Sequence, residues 1–212
     1  MKLVILGPPS SGKGTQASAL AKDYGIPHIS TGDILRTEVD KKTELGQAAS
    51  SYMADGKLVP DDLVIRMMAK RLSQGDCVRG FILDGYPRTV RQAEALDKDF
   101  GVNVVLYIDV TEEEILRRAI GRRICTNCGA IYHVMFNPPK NVEKCDVCGS
   151  KLIIREDDTE SVVRKRLDLY RERTAHLIER YSGILISIDG NGSPEETLER
   201  AKQALEPVGN NV

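Results

Sequence analysis

The chain has 212 residues, and 30 Lys plus Arg against 31 Asp plus Glu leave a formal net charge of −1. That balance excludes a nucleic-acid binder driven by bulk charge, because counterion release needs a basic surplus on at least one face. Hydrophobic residues at 41% and charged residues at 29% describe a folded globular chain with one sizeable core. No apolar run approaches the ~18 residues of a membrane span. The start, Met1 to Gly7, has too short an apolar stretch for a secretory signal, so the expected location is cytoplasmic, with no membrane partner.

Strand-like segments alternate with amphipathic helical ones, which predicts an α/β fold: a three-layer core with a central parallel sheet. Lys2–Leu6 reads as the first strand and Lys13 to about Tyr24 as the first helix. Residues 27–29 form a brief second strand, and Gly80–Asp84, Val102–Asp109 and Ile184–Asp189 are stronger ones, each apolar and each ending on an acid. Thr111 with Glu114, and Ser193 with Glu196, are helix-start signals. Residues 30–59, read as short helices, and residues 122–159, which hold four cysteines and Pro138-Pro139, interrupt the alternation and are expected to be insertions at the ligand end of the sheet.

Between the first strand and the first helix lies Gly7-Pro8-Pro9-Ser10-Ser11-Gly12-Lys13-Gly14-Thr15, a phosphate-loop pattern in which Gly14 separates the lysine from the hydroxyl of Thr15. Small residues let successive backbone N–H groups turn toward phosphate oxygens, the helix N-terminus adds positive potential, and Lys13 supplies a mobile charge. Such a loop points to a bound nucleoside triphosphate without naming a reaction. Asp84-Gly85-Tyr86-Pro87-Arg88 places a carboxylate and an arginine over the same end of the sheet, and Asp84 suits Mg²⁺ held directly or through water. Arg36, Arg88, Arg122, Arg123, Arg155, Arg164 and Arg166 lie outside the core segments. As a set they call for an anionic ligand, although Arg164 beside Lys165 also reads as a solvated helix face.

The cysteines Cys125-x₂-Cys128-x₁₆-Cys145-x₂-Cys148 have the spacing of a structural zinc ribbon, with Gly129 and Gly149 placed for knuckle turns. Four thiolates close a tetrahedral shell, which makes a structural metal the expectation over disulfides or adventitious iron. Cys77 stands alone and reads as a small apolar residue; His28, His133 and His176 are scattered and read as structural or surface groups.

Together, Gly7-Pro8-Pro9, Ser30-Thr31-Gly32-Asp33, Asp84 to Arg88, Gly121-Arg122-Arg123, Arg155 to Asp158 and Asp189-Gly190 resemble the adenylate kinases, in the long form whose lid carries zinc, over essentially the whole chain. The resemblance implies a monomeric nucleoside monophosphate kinase that catalyses ATP + AMP = 2 ADP with Mg²⁺ in adenine nucleotide homeostasis. It divides the chain into a core at 1–29, 60–121 and 160–212, an AMP-binding insertion at 30–59 and a lid at 122–159. It assigns Thr31, Arg36, Lys57, Leu58, Val59, Gly85, Arg88, Gln92, Arg155 and Arg166 to AMP, and Ser10, Ser11, Gly12, Lys13, Gly14, Thr15, Arg122, Ile131, Tyr132 and Gly192 to ATP. Catalysis falls to Lys13, Asp84, Arg88, Arg122, Arg155 and Arg166, with Asp157 and Asp158 as an acidic pair beside the arginines. Closure of such lids, adenylate kinase's own among them, limits many turnover rates. Ser10 departs from the family's usual glycine, at a cost in strain if that position needs a positive φ.

Two other functions remain open at this point. The nearest is a monophosphate kinase with another acceptor base, such as UMP or CMP: Thr31 and Gln92 favour adenine by resemblance, but spacing does not settle which base a few hydrogen bonds recognise. A nucleotide-dependent nucleic-acid binder would use the ribbon as its contact module, but residues 122–158 hold six Lys plus Arg against five Asp plus Glu and form no basic stripe.

Overall fold

The computed structural model describes residues 1–209. Five parallel strands form the central sheet: β1 (Lys2–Leu6), β2 (His28–Ser30), β3 (Phe81–Asp84), β4 (Val104–Asp109) and β8 (Leu185–Asp189), in the order β2-β3-β1-β4-β8. β1 lies between β3 and β4, so the chain leaves it toward one side first and the other later. The crevice at its carboxyl end is the ligand position of an open α/β sheet. The expected strands at Gly80, Val102 and Ile184 each begin one or two residues late. At β4 the cause is visible: Asn103 Oδ1 accepts from Lys2 N at 2.7 Å, a side chain standing in for a ladder carbonyl.

Helices cover both faces. On one, α4 (Asp61–Leu72), α5 (Val90–Asp99) and α8 (His176–Arg180) pack Val64, Met68, Leu96 and Leu177 against Val4, Leu83 and Val105. On the other, α1 (Lys13–Tyr24), α6 (Glu112–Gly121), α7 (Glu160–Leu169) and α9 (Pro194–Gly209) pack Leu20, Ile115, Leu167 and Leu205 against Leu3, Ile5 and Leu106. Alternate residues of β1 thus serve opposite faces, as a doubly covered strand requires. The expected helix starts are present: Thr111 Oγ1 accepts from Glu114 N, and Ser193 and Glu196 cap each other reciprocally at 2.8 and 3.1 Å.

Residues 31–54 fold as α2 (Thr31–Asp40) and α3 (Glu44–Ala54), hinged against the sheet edge by the Ser30 cap on Asp33 N. Residues 122–153 form a separate antiparallel sheet of β5 (Arg122–Cys125), β6 (Ile131–His133) and β7 (Leu152–Ile153), in the order β6-β5-β7. Its buried side chains are Cys125, Tyr132, Cys145 and Leu152. The core segment expected to reach residue 212 is described to 209. Among the described residues no helix is long and apolar enough to cross a membrane.

Candidate active site

The loop between β1 and α1 runs from Gly7 to Gly12. Lys13 Nζ turns back onto the loop and donates to Gly7 O at 2.9 Å and Pro8 O at 2.6 Å. The hydroxyls of Ser10 and Ser11 are buried without a partner. Ser10 sits at φ 60°, the positive value that its departure from glycine made the question, so the loop holds a strained serine. Gly14 has a spatial cause: a Cβ there would lie 3.1 Å from Asp84 Oδ2. A side chain at this position would crowd the Asp84 carboxylate.

Burial drives Lys13 down to about 7; Asp84 opposes the shift, while Arg88, Arg166 and Arg122 add to it. Burial also works against the charge of Asp84, but His28, Lys13 and Arg88 outweigh it and hold the carboxyl below its ordinary value. His28 Nε2 lies 3.8 Å from Asp84 Oδ2, and its Nδ1 lies 3.1 Å from Ser18 Oγ. This histidine, read as structural or surface from the sequence, touches the site through Asp84.

Five of the seven arginines converge. Burial pushes Arg88 and Arg155 each down to about 10, with Arg166 and Arg122 respectively the largest repelling cations, and Arg166 is lowered for the same reason. Arg122 differs: burial opposes its charge, but Asp158 binds both its Nε, at 2.8 Å, and its Nη2, and its value rises. Arg166 Nη1 donates to Asp157 Oδ2 at 2.8 Å, Arg36 pairs with Asp33, and Arg155 reaches the same Asp33 at 3.8 Å from the far side of the crevice. Arg155 Nε is buried with no partner. Mutually repelling cations around an orphaned donor define a site for a polyanion. Arg123 instead donates to Ile120 O and Arg122 O, and Arg164 bridges Glu112 and Glu160 on the surface.

Three cavities run into one another. The central one is lined by Lys13, Gly14, Asp84, Arg155 and Tyr170. It shares Arg36, Leu58, Gly85, Arg88 and Arg166 with a second, which is completed by Thr31, Lys57, Val59 and Gln92. It shares Gly12, Thr15 and Ile131 with a third, which also holds Ser10, Arg122, Tyr132 and Phe136. Tyr132 keeps its ring in the small sheet's core, where its hydroxyl lies 3.5 Å from Cys145 Sγ and accepts from Asp146 N at 2.8 Å. Gly192 contributes its carbonyl to Arg118 at 3.0 Å. Sequence reading omitted Arg118, whose guanidinium also binds Ser11 O and Gly190 O and so ties the phosphate loop to the end of β8. Its spacing four residues after Glu114, which pairs with its Nε at 2.7 Å, was the available signal.

The four Sγ atoms of Cys125, Cys128, Cys145 and Cys148 lie within 4.8 Å of one another, and none is in a disulfide. Cys125 to Cys148 and Cys128 to Cys145 span 3.4 and 3.5 Å, close to the ~3.8 Å edge of a tetrahedron built on Zn–S bonds of ~2.3 Å. Each pair closes on an N–H donated back to its first cysteine's carbonyl, from Gly129 at 3.2 Å and Gly149 at 2.8 Å, both glycines at φ 73°.

The family model for adenylate kinase matches residues 5–185. The chain belongs to the adenylate kinase family. Adenylate kinases of Clostridium kluyveri and Caldicellulosiruptor saccharolyticus are each 51% identical to it, over 98% and 99% of this chain and 99% of their own length. That of Carboxydothermus hydrogenoformans is 50% identical over 97% of this chain and all of its own. As an adenylate kinase, the chain is a nucleoside monophosphate kinase that transfers a phosphoryl group between adenine nucleotides. A centre lined by cations and flanked by two further cavities suits that reaction, which requires no nucleophilic side chain between donor and acceptor.

Proposed function

We propose that the third cavity takes the nucleoside of ATP, the second takes AMP, and the central one holds the phosphates between them. The continuity of the three cavities through Arg88 and Ile131 carries this reading. Residues 30–59 then form the AMP-binding insertion, 122–159 the lid, and the remainder the core. Lys13 and Arg122 neutralise the donor phosphates, while Arg36, Arg88, Arg155 and Arg166 clamp the acceptor phosphate and the group in flight. Thr31, Lys57, Leu58, Val59, Gly85 and Gln92 shape the AMP side. Ser10 to Thr15, Ile131, Tyr132 and Gly192 shape the ATP side, Tyr132 through its backbone.

Asp84, kept anionic at the cavity wall beside Lys13, fits Mg²⁺ together with phosphate oxygens. Mg²⁺ neutralises charge on the β- and γ-phosphate oxygens when bound. The Arg155–Asp33 contact supports a crevice that closes by lid meeting insertion, which keeps water from the phosphoryl group. Zn²⁺ on the four cysteines is structural, because no ligand position is left for water. The enzyme acts as a cytoplasmic monomer with no nucleic-acid or membrane partner.

The test is ADP formation from ATP and Mg²⁺ with AMP, UMP, CMP or GMP, and with ATP alone. Strong turnover with AMP alone is expected. Equal turnover with another acceptor would move the base specificity, and hydrolysis without an acceptor would refute the closed crevice.

Lys13 gives a second test. Its depressed value means that a phosphate anion must return a proton to it, so ATP binding at pH 8 should take up protons, read by calorimetry in two buffers of different ionisation enthalpy. Lys13→Met should abolish the uptake. Because its folded value of about 7 lies below its unfolded one, Lys13 burdens the ligand-free fold below pH 7, and that burden lifts as pH rises toward 10. The Met variant should therefore melt higher than the parent at pH 6, and by a smaller margin at pH 9.

A further inference from the structure

The amide of Gln92 is held at both ends by groups that cannot exchange roles. Its Oε1 accepts from Arg88 N at 2.8 Å, and a backbone N–H can only donate. Its Nε2 donates to Asp61 Oδ1 at 2.7 Å, and a carboxylate can only accept. Asp61 is fixed in turn: its Oδ2 takes the Thr89 hydroxyl at 2.9 Å, and Thr89 Oγ1 caps α5 by accepting from Gln92 N at 3.2 Å. Turning the amide over would set N–H against N–H at Arg88 and oxygen against carboxylate at Asp61.

Gln92 is buried, with 2% of its surface exposed, yet it lines the second cavity. An amide has two acceptor and two donor positions, and the two contacts use one of each. The remaining acceptor and the remaining donor have a fixed order along the amide edge. A 6-aminopurine presents a donor at its 6-position and an acceptor at N1, the complement of such an edge. A 6-oxopurine of almost the same shape presents the reverse.

We propose that Asp61 is a specificity-determining residue: by locking the polarity of the Gln92 amide, it makes the cavity accept a 6-aminopurine monophosphate and reject a 6-oxopurine one. This rests on the reading that the second cavity takes the acceptor's base. Asp61 touches no substrate and acts through Gln92. It opens α4 immediately after Pro60, where its place in the first turn accounts for it as an ordinary helix-start acid. That ordinary reading predicts a stability role and no effect on base choice.

The experiment compares AMP with IMP, which differ at the purine only in the 6-substituent and the N1 proton. Sites that hydrogen-bond their substrate discriminate strongly, so the parent enzyme is expected to favour AMP by about 10³-fold or more in kcat/KM. Asp61→Asn, an isostere whose own amide can turn, and Asp61→Ala should each shrink the AMP-to-IMP ratio by about tenfold or more, while KM for ATP stays within about twofold. An unchanged ratio, whatever the loss in absolute rate, overturns the proposal and leaves Asp61 a structural acid. If the Ala variant fails to fold, the ratio in the Asn variant decides. Gln92→Leu separates the two levels: an unaltered kcat/KM for AMP in that variant would refute the base cavity itself, and the lock with it.

Discussion

Arg88→Met should lower phosphoryl transfer by about a thousandfold and raise, not lower, the melting temperature of the ligand-free enzyme. The loss follows from the position of the guanidinium, which lines both the central cavity and the second cavity proposed to take AMP, and so lies on the proposed path of the phosphoryl group. Arginines that stabilise transferring phosphoryl groups are worth ~10³ or more in rate. The gain in stability follows from the electrostatics. Burial and Arg166 push Arg88 down to about 10, so at neutral pH its charge is held in the fold against both desolvation and a like charge. Methionine fills a similar volume without either cost. Its backbone is secured independently of the side chain, because Arg88 N donates to Gln92 and Arg88 O accepts from the Thr174 hydroxyl at 2.9 Å. Single-turnover rates and thermal melts with and without nucleotide would check both. Full activity would remove Arg88 from the clamp, and a collapsed melting temperature would make the activity loss a folding effect.

The same opposition explains why the site is strained in so many places at once. A chain that binds two polyanionic nucleotides must keep a surplus of charge in a partly dry crevice before either arrives. The structure meets that cost with acids paired to the arginines: Asp33 beside Arg36 and Arg155, Asp157 with Arg166, and the buried Asp158 with Arg122. For Asp33 and Asp157, burial alone would raise the carboxyl value, but the neighbouring arginines overcome it and keep both acids ionised.

What the sequence showed, and what it hid, divides along this line. The phosphate loop was legible because strand, small residues, lysine and helix are contiguous, and the cysteine cluster because its spacing is itself the ligand geometry. The parallel sheet was legible because strands buried on both faces are continuously apolar, as in Val104 to Ile108. The partners of the site residues were not. Arg118 reads as one more basic residue on an amphipathic helix until the fold brings Ser11, Gly190 and Gly192 to it. His28 meets Asp84 only through the pairing of β2 with β3, which aligns Ser30 with Asp84. Asp61 meets Gln92 across 31 positions because α4 and α5 share one face of the sheet. Arg123 shows the converse error, since composition cannot tell an arginine that faces the crevice from one that does not, whereas Arg164 lies on the solvated helix face where its neighbour Lys165 placed it.

Removing metal from the cysteine cluster, by chelation under reducing conditions or by Cys145→Ser, should unfold residues 122–159 while the central sheet persists. The buried side chains of this small sheet are Cys125, Tyr132, Cys145 and Leu152, two of which are the proposed ligands. Burying Tyr132 and Leu152 contributes about 5 kcal/mol in total. Two apolar side chains are too small a core to hold a segment of this length alone. Structural zinc sites supply ~10 kcal/mol or more of binding free energy, which is folding free energy when the site exists only in the fold. Since Arg122 and Arg155 both lie in the segment, its loss should remove phosphoryl transfer along with its hydrogen-exchange protection. The core should keep its protection, because Leu3, Ile5 and Leu106 pack against helices outside the segment. Exchange measured separately over residues 122–159 and over β1, β3 and β4 distinguishes this from global destabilisation. Unchanged protection of 122–159 after verified metal removal would show that the small sheet stands without it.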